Sequence, residues 1–193
     1  MGPISELEVT LAGRPVSVCV APGVFSAHRL DLGTSVLLRT LAREDPASGL
    51  PPEGTLVDLG CGWGPLALTM AMLAPGAQVQ AIDINPHARE LTRLNAERLG
   101  LTNIQVSGPT LPTQPIDRLW SNPPIRIGKD SLHDLLEPWL KALAPSGHAD
   151  LVVQRHLGAD SLATWLTQAG FPTVKVASAK GYRVLRALSD RRG

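Results

Sequence analysis

The stretch Val57-Asp58-Leu59-Gly60-Cys61-Gly62-Trp63-Gly64-Pro65-Leu66-Ala67 limits what this chain can fold into more than any other. Thr55 to Leu59 is a β-prone run that reads as a buried strand, and it stops at the glycines. Pro65 then opens an apolar-periodic segment. Proline suits the first position of a helix, because its fixed φ is already helical and its missing N–H would have no partner there. Strand, glycine turn and helix form the opening crossover of a nucleotide-binding α/β fold. Glycine is required where the backbone turns sharply and comes close to a ligand with no Cβ in the way. The spacing here is Gly-x-Gly-x-Gly, not the Gly-x-Gly-x-x-Gly of dinucleotide binders. Asp83 ends the next strand-like run, Gln78 to Ile82. It lies about 20 residues past the loop, where a carboxylate can hold a ribose diol.

The remaining chain fits the same plan. Leu7, Val9 and Leu11, then Val16, Val18 and Val20, alternate as two strands around Ala12-Gly13-Arg14-Pro15 and predict an N-terminal hairpin. Val36, Leu37, Leu38 and Leu41 predict a helix capped by Thr34 or Ser35, and Asp45 to Gly54 reads as a loop. Helices are expected after Gly64 and after Asn85-Pro86. Strands are expected at Asn103–Val106, Ile116–Trp120, Gly147–Gln154, Thr173–Ala177 and Tyr182–Leu188. Leu132, Leu135, Leu136, Trp139, Leu140 and Leu143 recur at helical spacing around Pro138, which implies a kinked helix or two short ones. Residues 190–193 form a tail without an element. Strand–helix alternation of this kind predicts a parallel sheet covered on both faces, closed by an antiparallel final strand.

At 193 residues the chain is expected to form one domain. Residues 1–50 are an N-terminal hairpin and helix extension, and 51–189 are a cofactor-binding core. The two cysteines, Cys19 and Cys61, stand apart and the histidines do not cluster, so no metal site is expected. No apolar run is long enough to span a bilayer, and the N-terminus has no signal-peptide core. A cytoplasmic protein follows as the expectation. A formal net charge of +1 excludes attraction of nucleic acid by the whole surface, leaving only a local basic patch for such a role.

Ser121-Asn122-Pro123-Pro124-Ile125 is the second constellation. In a doubly wound sheet the fourth strand of the cofactor core runs beside its first, and ligands bind at the carboxyl ends there. Asn122 is therefore expected next to the glycine loop. Two prolines hold the backbone extended, so its carbonyls keep a fixed direction. An Asn oxygen with a neighbouring carbonyl gives two acceptors, matching the two N–H groups of a planar exocyclic amine or amide. The lone pair of such an amine is delocalised. Two acceptors on its hydrogens draw the pair toward nitrogen and aim it, so transfer depends on positioning and electrostatics more than on a strong base. Taken alone, the segment could also be a Pro-Pro turn closing a strand.

Asp58-x-Gly60-x-Gly62-x-Gly64 with Asp83 resembles the cofactor loop of class I S-adenosylmethionine-dependent methyltransferases. The resemblance implies a Rossmann-like, doubly wound seven-stranded sheet. It also implies that Asp58, Gly60, Cys61, Gly62 and Gly64 follow the methionine and ribose part of S-adenosylmethionine, that Asp83 takes the ribose hydroxyls, and that Ile84 borders the cofactor. The acid often found after the third strand is replaced by Ser107-Gly108, so Ser107 is expected to serve near the adenine. Asn122-Pro123-Pro124 resembles the Asn-Pro-Pro-aromatic signature of methyltransferases acting on exocyclic amines of adenine or guanine, or on glutamine amides. Ile125 stands in the aromatic position.

Val24-Phe25-Ser26 through Asp31-x-Gly33-Thr34-Ser35 resembles the segment before the cofactor loop in small-domain methyltransferases, a family that includes bacterial 16S ribosomal RNA guanine-N2 methyltransferases. There Asp31, Gly33 and Thr34 border the methionine end of the cofactor, and Phe25 borders the substrate. Longer members carry a further N-terminal methyltransferase-like domain, which is not expected in this chain. Arg29, Arg126 and Lys129 are expected to meet RNA phosphates, with solvated surface charge as the other reading. Trp63 either covers the cofactor or packs in the core. The expected activity is methyl transfer to guanine N2 in 16S ribosomal RNA, with ribosomal RNA or the small ribosomal subunit as partner and a monomer favoured. The alternatives are an adenine-N6 or protein glutamine-amide methyltransferase, or a cofactor-binding subunit without catalysis.

Overall fold

Every residue of Thr55–Leu59 is buried, the pattern of a strand covered on both faces. The computed structural model describes residues 2–26, 28–44 and 49–189. Residues 45–48 of the expected loop, and the 190–193 tail, lie outside the described residues. The main sheet is a seven-stranded mixed sheet of Rossmann-like type, in the order β5 (Ile104–Ser107), β4 (Gln78–Ile82), β3 (Thr55–Leu59), β6 (Ile116–Ser121), β7 (Leu143–Gln154), β9 (Tyr182–Leu188), β8 (Thr173–Ala179), and a separate two-stranded sheet pairs β1 (Ser5–Leu11) with β2 (Arg14–Val20). The chain divides into two units, Met1–Asp31 with Leu50–Thr110 and Leu32–Gly49 with Leu111–Gly193.

In the first unit, β1 (Ser5–Leu11) and β2 (Arg14–Val20) form the expected hairpin, with Leu11 opposite Arg14. Ala12 and Gly13 have φ of 49° and 74°. Two positive φ values give a two-residue turn whose twist matches that of the strands it joins. The helix α2 (Pro65–Leu73) follows β3 (Thr55–Leu59) and is buried continuously from Leu66 to Ala71. A helix without a polar face belongs inside a core. Next come β4 (Gln78–Ile82), α3 (Pro86–Arg98) and β5 (Ile104–Ser107), with β4 parallel to both β3 and β5.

The second unit contains α1 (Leu32–Glu44), β6 (Ile116–Ser121), α4 (Lys129–Lys141), β7 (Leu143–Gln154), α5 (Ala159–Gln168), β8 (Thr173–Ala179) and β9 (Tyr182–Leu188). β6 and β7 are parallel, and β9 runs antiparallel to both β7 and β8. Three expectations change. The first helix begins at Leu32, so Thr34 lies inside it and does not cap it. α4 runs unbroken through Pro138. Pro138 is exposed and sits close to the C-terminal end, where only one backbone bond is lost. β7 starts at Leu143, ahead of the expected Gly147, because an irregularity in the β6–β7 ladder shifts the register between Ile116 and Arg118.

Gly147 explains how the strands meet at that irregularity. A Cβ there would stand 2.4 Å from the Ile116 carbonyl oxygen and 3.0 Å from the backbone nitrogen of Ala144. Neither backbone atom can turn aside as a side chain could. Gly147→Ala should therefore lower stability by about 1–3 kcal/mol, the usual cost of overpacking. Urea unfolding of the purified chain measures this, and an unchanged midpoint would show that the ladder has slack.

Candidate active site

The glycine loop of the first unit is fastened from beneath by backbone and by α3. The N–H groups of Gly60 and Cys61 both donate to the Ile82 carbonyl, at 2.8 and 2.9 Å, and Gly64 N–H donates to Cys61 O at 2.8 Å. Gly60, Gly62 and Gly64 have φ of 83°, 59° and 98°, the left-handed region that glycine enters at little cost. A Cβ on Gly60 would meet nothing within 4 Å, whereas one on Gly64 would press against Thr92 at 3.1 Å. The outer glycine thus leaves room on the loop surface, and the inner one allows close packing on α3.

Thr92 and Asn95 of α3 are fully buried. Thr92 Oγ1 donates to the Gly62 carbonyl at 3.0 Å and stands 3.4 Å from the Cys61 sulfur. Asn95 Oδ1 accepts from Cys19 N–H at 2.6 Å, and its Nδ2 donates to the carbonyls of Cys19 and Trp63, at 3.0 and 2.9 Å. One amide therefore ties the hairpin to the loop. Sequence reasoning missed both residues. Their signal was the helical spacing that puts Thr92 and Asn95 on the stripe shared by Leu91 and Ala96, where a polar side chain has to find a partner.

Asp83 closes the loop from the end of β4. Its Oδ2 accepts from Gly62 N–H at 2.9 Å and its Oδ1 from Asn85 N–H at 2.8 Å. Its own N–H donates to Ser107 O at 3.3 Å, which brings Ser107 beside it. Arg89 Nη1 donates to the carbonyls of Asp83 and Ile84, steadying that turn. Ile84 is 82% exposed, and Phe25 is 63% exposed. Phe25 is thus no core aromatic. Its carbonyl lies 3.9 Å from a Cβ built on Gly62, and Asn85 Nδ2 donates to Gly23 O at 3.2 Å, so the 23–25 backbone runs beside the loop. Trp63 is buried and belongs to the packing. Arg29 is exposed and Asp31 half-buried.

Asp58 is fully buried in β3. Its Oδ2 accepts from Ala67 N–H in the first turn of α2 at 2.8 Å, while Oδ1 is buried without a hydrogen-bond partner. Burial drives its pKa up to about 7 against the pull of the Ala67 N–H, with the nearby charge of Asp83 adding to the rise. Burial likewise holds the Cys61 thiol neutral, well above its ordinary range. Among the described residues no group of three or more His, Cys, Asp or Glu side chains could hold a metal ion.

In the second unit the acceptor turn follows β6. Pro123 is buried, and Asn122 and Ile125 are half-buried. Asn122 Nδ2 donates to Thr34 Oγ1 of α1 at 3.2 Å. Gly33 and Thr34 are buried at the start of α1. Ile125 and Arg126 fall in a 3-10 turn, Ile125–Ile127, and Lys129 begins α4. Arg126 and Lys129 are exposed.

Comparison with known proteins agrees with this architecture. The family model described as methyltransferase small domain matches residues 15–186. An uncharacterized protein of Bacillus subtilis, YbxB, is 33% identical over 170 residues, 86% of this chain and 82% of that one. The ribosomal RNA small subunit methyltransferase C of Pseudomonas entomophila is 33% identical over 189 residues, 94% of this chain. This chain spans only 54% of that relative's length. A T. thermophilus 16S rRNA N2 G1207 methyltransferase, solved with AdoMet and guanosine, superposes with a TM-score of 0.84 at 23% identity. The superposition covers 98% of this chain and 51% of the other.

Asp58 sets a pH signature. Its folded-state pKa of about 7 lies above the ordinary 3.8, so the native chain holds a proton that the unfolded chain releases. Stability from this group is full below about pH 4 and is lost as pH rises through about 7. Asp58→Asn should flatten that slope. Chemical denaturation at pH 5 and pH 8 measures it, and an equally steep loss in both proteins would clear Asp58 of the effect.

Proposed function

The chain belongs to the methyltransferase small domain family of S-adenosylmethionine-dependent enzymes, and from that premise we propose that it methylates the exocyclic amine of a nucleobase, guanine N2 of 16S ribosomal RNA being the preferred target. The observation that carries this reading is the turn at Asn122. Its amide is held against Thr34 at the end of β6, and its oxygen, with two lone pairs, would accept from an incoming N–H donor. The prolines at 123 and 124 keep the neighbouring carbonyls in fixed directions for a second N–H. The relatives named as ribosomal RNA small subunit methyltransferases support RNA as the substrate.

The residues present fit S-adenosylmethionine. The open space over Gly60 leaves room for a ligand to approach the loop backbone with no side chain in the way. Asp58, Gly60, Cys61, Gly62 and Gly64 would hold its methionine and ribose part, together with Asp31, Gly33 and Thr34. Asp83 would accept from the ribose hydroxyls, with Ile84 and Ser107 at the adenine. When bound, the cofactor supplies a methyl group made electrophilic by a sulfonium. Asn122 and its proline-fixed carbonyls accept the two N–H groups of the amine and localise its lone pair on nitrogen. The same acceptors would hold the surplus proton that methyl transfer leaves on the amine until it passes to water. Catalysis on this account is orientation and electrostatic preorganisation, with no strong base. Phe25 would border the target base, while Arg29, Arg126 and Lys129 would meet phosphates. The partner is ribosomal RNA or the small subunit, met by a monomer that acts as one catalytic domain.

Two variants test the division of labour. Asp83→Ala should weaken cofactor binding by about 1–3 kcal/mol, the cost of unmatched buried polar groups. Calorimetry that found wild-type affinity would remove Asp83 from the site. Asn122→Ala should keep cofactor affinity and slow transfer to RNA by about 10²-fold or more, as when one preorganised donor or acceptor is lost. A variant that lost the cofactor yet kept its turnover number would contradict the role given to Asn122.

A further inference from the structure

Three segments of the second unit emerge at one edge of its sheet. β6 ends at Ser121, paired with Leu151, and leads into the 3-10 turn at Ile125–Ile127. β7 ends at Gln154 and leads into a second 3-10 turn, Arg155–Leu157. The turn between β8 and β9 lies against that second turn, because Tyr182 pairs with Gln154 and Arg155 N–H donates to Gly181 O at 2.8 Å. A cavity of about 110 Å³ separates the first two segments, with Ile125, Gly128 and Lys129 on one side and Leu157, Gly158 and Ser161 on the other.

Charge gathers at this edge. Arg126, Lys129, Arg155, Lys180 and Arg183 face two carboxylates, Asp130 and Asp160, a surplus of three where the whole chain has a surplus of one. Asp160 is already engaged by Arg183. Arg126, Lys129, Arg155 and Lys180 are exposed. Ile127 and Leu157, one on each 3-10 turn, are 46% and 43% exposed, so an apolar surface stands among the cations. Cations in a row can follow the phosphates of a single nucleic-acid strand, and the exposed aliphatic side chains among them give its bases or sugars an apolar surface to lie on. A guanine amine engaged in a base pair could not present both hydrogens to Asn122, so the strand reaching the turn has to be unpaired.

We propose that the second 3-10 turn and the β8–β9 turn form a wall for single-stranded RNA facing the one at Arg126 and Lys129. The strand that carries the target base runs on from the acceptor turn, across the cavity and over Ile127 and Leu157, to phosphate contacts at Arg155 and Lys180. This rests on the nucleobase reading given above, but it concerns residues that take no part in the transfer.

The test uses the full chain with substitutions R155Q and K180Q made together, and R39Q with R43Q as a control of equal charge on the exposed face of α1. RNA affinity is measured across a range of salt, and methyl transfer is measured on an RNA fragment and on guanosine. In the R155Q/K180Q protein the salt slope should fall by about 1.4, from about 0.7 for each phosphate contact on a single strand. KM for the RNA fragment should rise, while kcat, transfer to guanosine and cofactor affinity stay as in the wild type. A slope unchanged by R155Q/K180Q, or lowered equally by R39Q/R43Q, overturns the proposal. Wild-type protein that binds RNA with no salt dependence overturns the nucleobase reading itself, and this wall with it.

Discussion

A single buried amide holds the first unit in register. Asn95 takes the N–H and the carbonyl of Cys19 together with the carbonyl of Trp63, so the end of the hairpin and the middle of the glycine loop answer to one side chain. All three partners are backbone groups that burial would otherwise leave unpaired, at a cost of about 1–3 kcal/mol each. Thr92, one turn earlier, holds Gly62 in the same way. The loop's left-handed glycines are free to choose many conformations in an unfolded chain. In the folded one, α3 beneath and the Asp83 carboxylate at the side leave them a single path. The geometry offered to a ligand is therefore set by residues on the far side of the loop from it.

The turn after β6 is fixed differently. Its backbone is stiffened by two rings, and its Asn122 amide meets a hydroxyl on α1. An Asn amide has two ends of similar shape and opposite hydrogen-bonding sense, and a half-turn would exchange acceptor for donor. The contact with Thr34 keeps the Asn122 side chain against α1, at the end of β6.

The two motifs were legible because each is written in residue types with a local conformational meaning. Glycines at 60, 62 and 64, Pro65 opening a helix, an acid closing β4 and two prolines after Asn122 declare themselves without reference to the rest of the chain. Strand and helix alternation gave the sheet, including its antiparallel end. What was not legible depends on contacts distant in sequence. Asn95 and Cys19 are 76 positions apart, and Asn122 and Thr34 are 88 apart. Trp63 sits inside the loop motif yet is buried away from its surface, a matter of packing that spacing does not encode. Thr34 looked like a helix cap because hydroxyls favour that place, but Leu32 starts the helix and turns the hydroxyl to other use. The β6–β7 irregularity coincides with close backbone approach at Gly147, a contact between distant segments that composition cannot reveal.

The burial of α2 bears on how the molecule breathes. Its six consecutive buried residues leave no face from which water can reach the helix without opening the core around it. Backbone amides in such a segment exchange with solvent hydrogen only through the largest openings, whereas those of the exposed 3-10 turns at Ile125–Ile127 and Arg155–Leu157 exchange through small, frequent ones. The glycine loop is spliced to the slow element through Gly64, and the two 3-10 turns belong to the fast ones. The chain thus keeps its glycine loop in a long-lived region and lets the turns at the ends of β6 and β7 fluctuate on a far shorter clock.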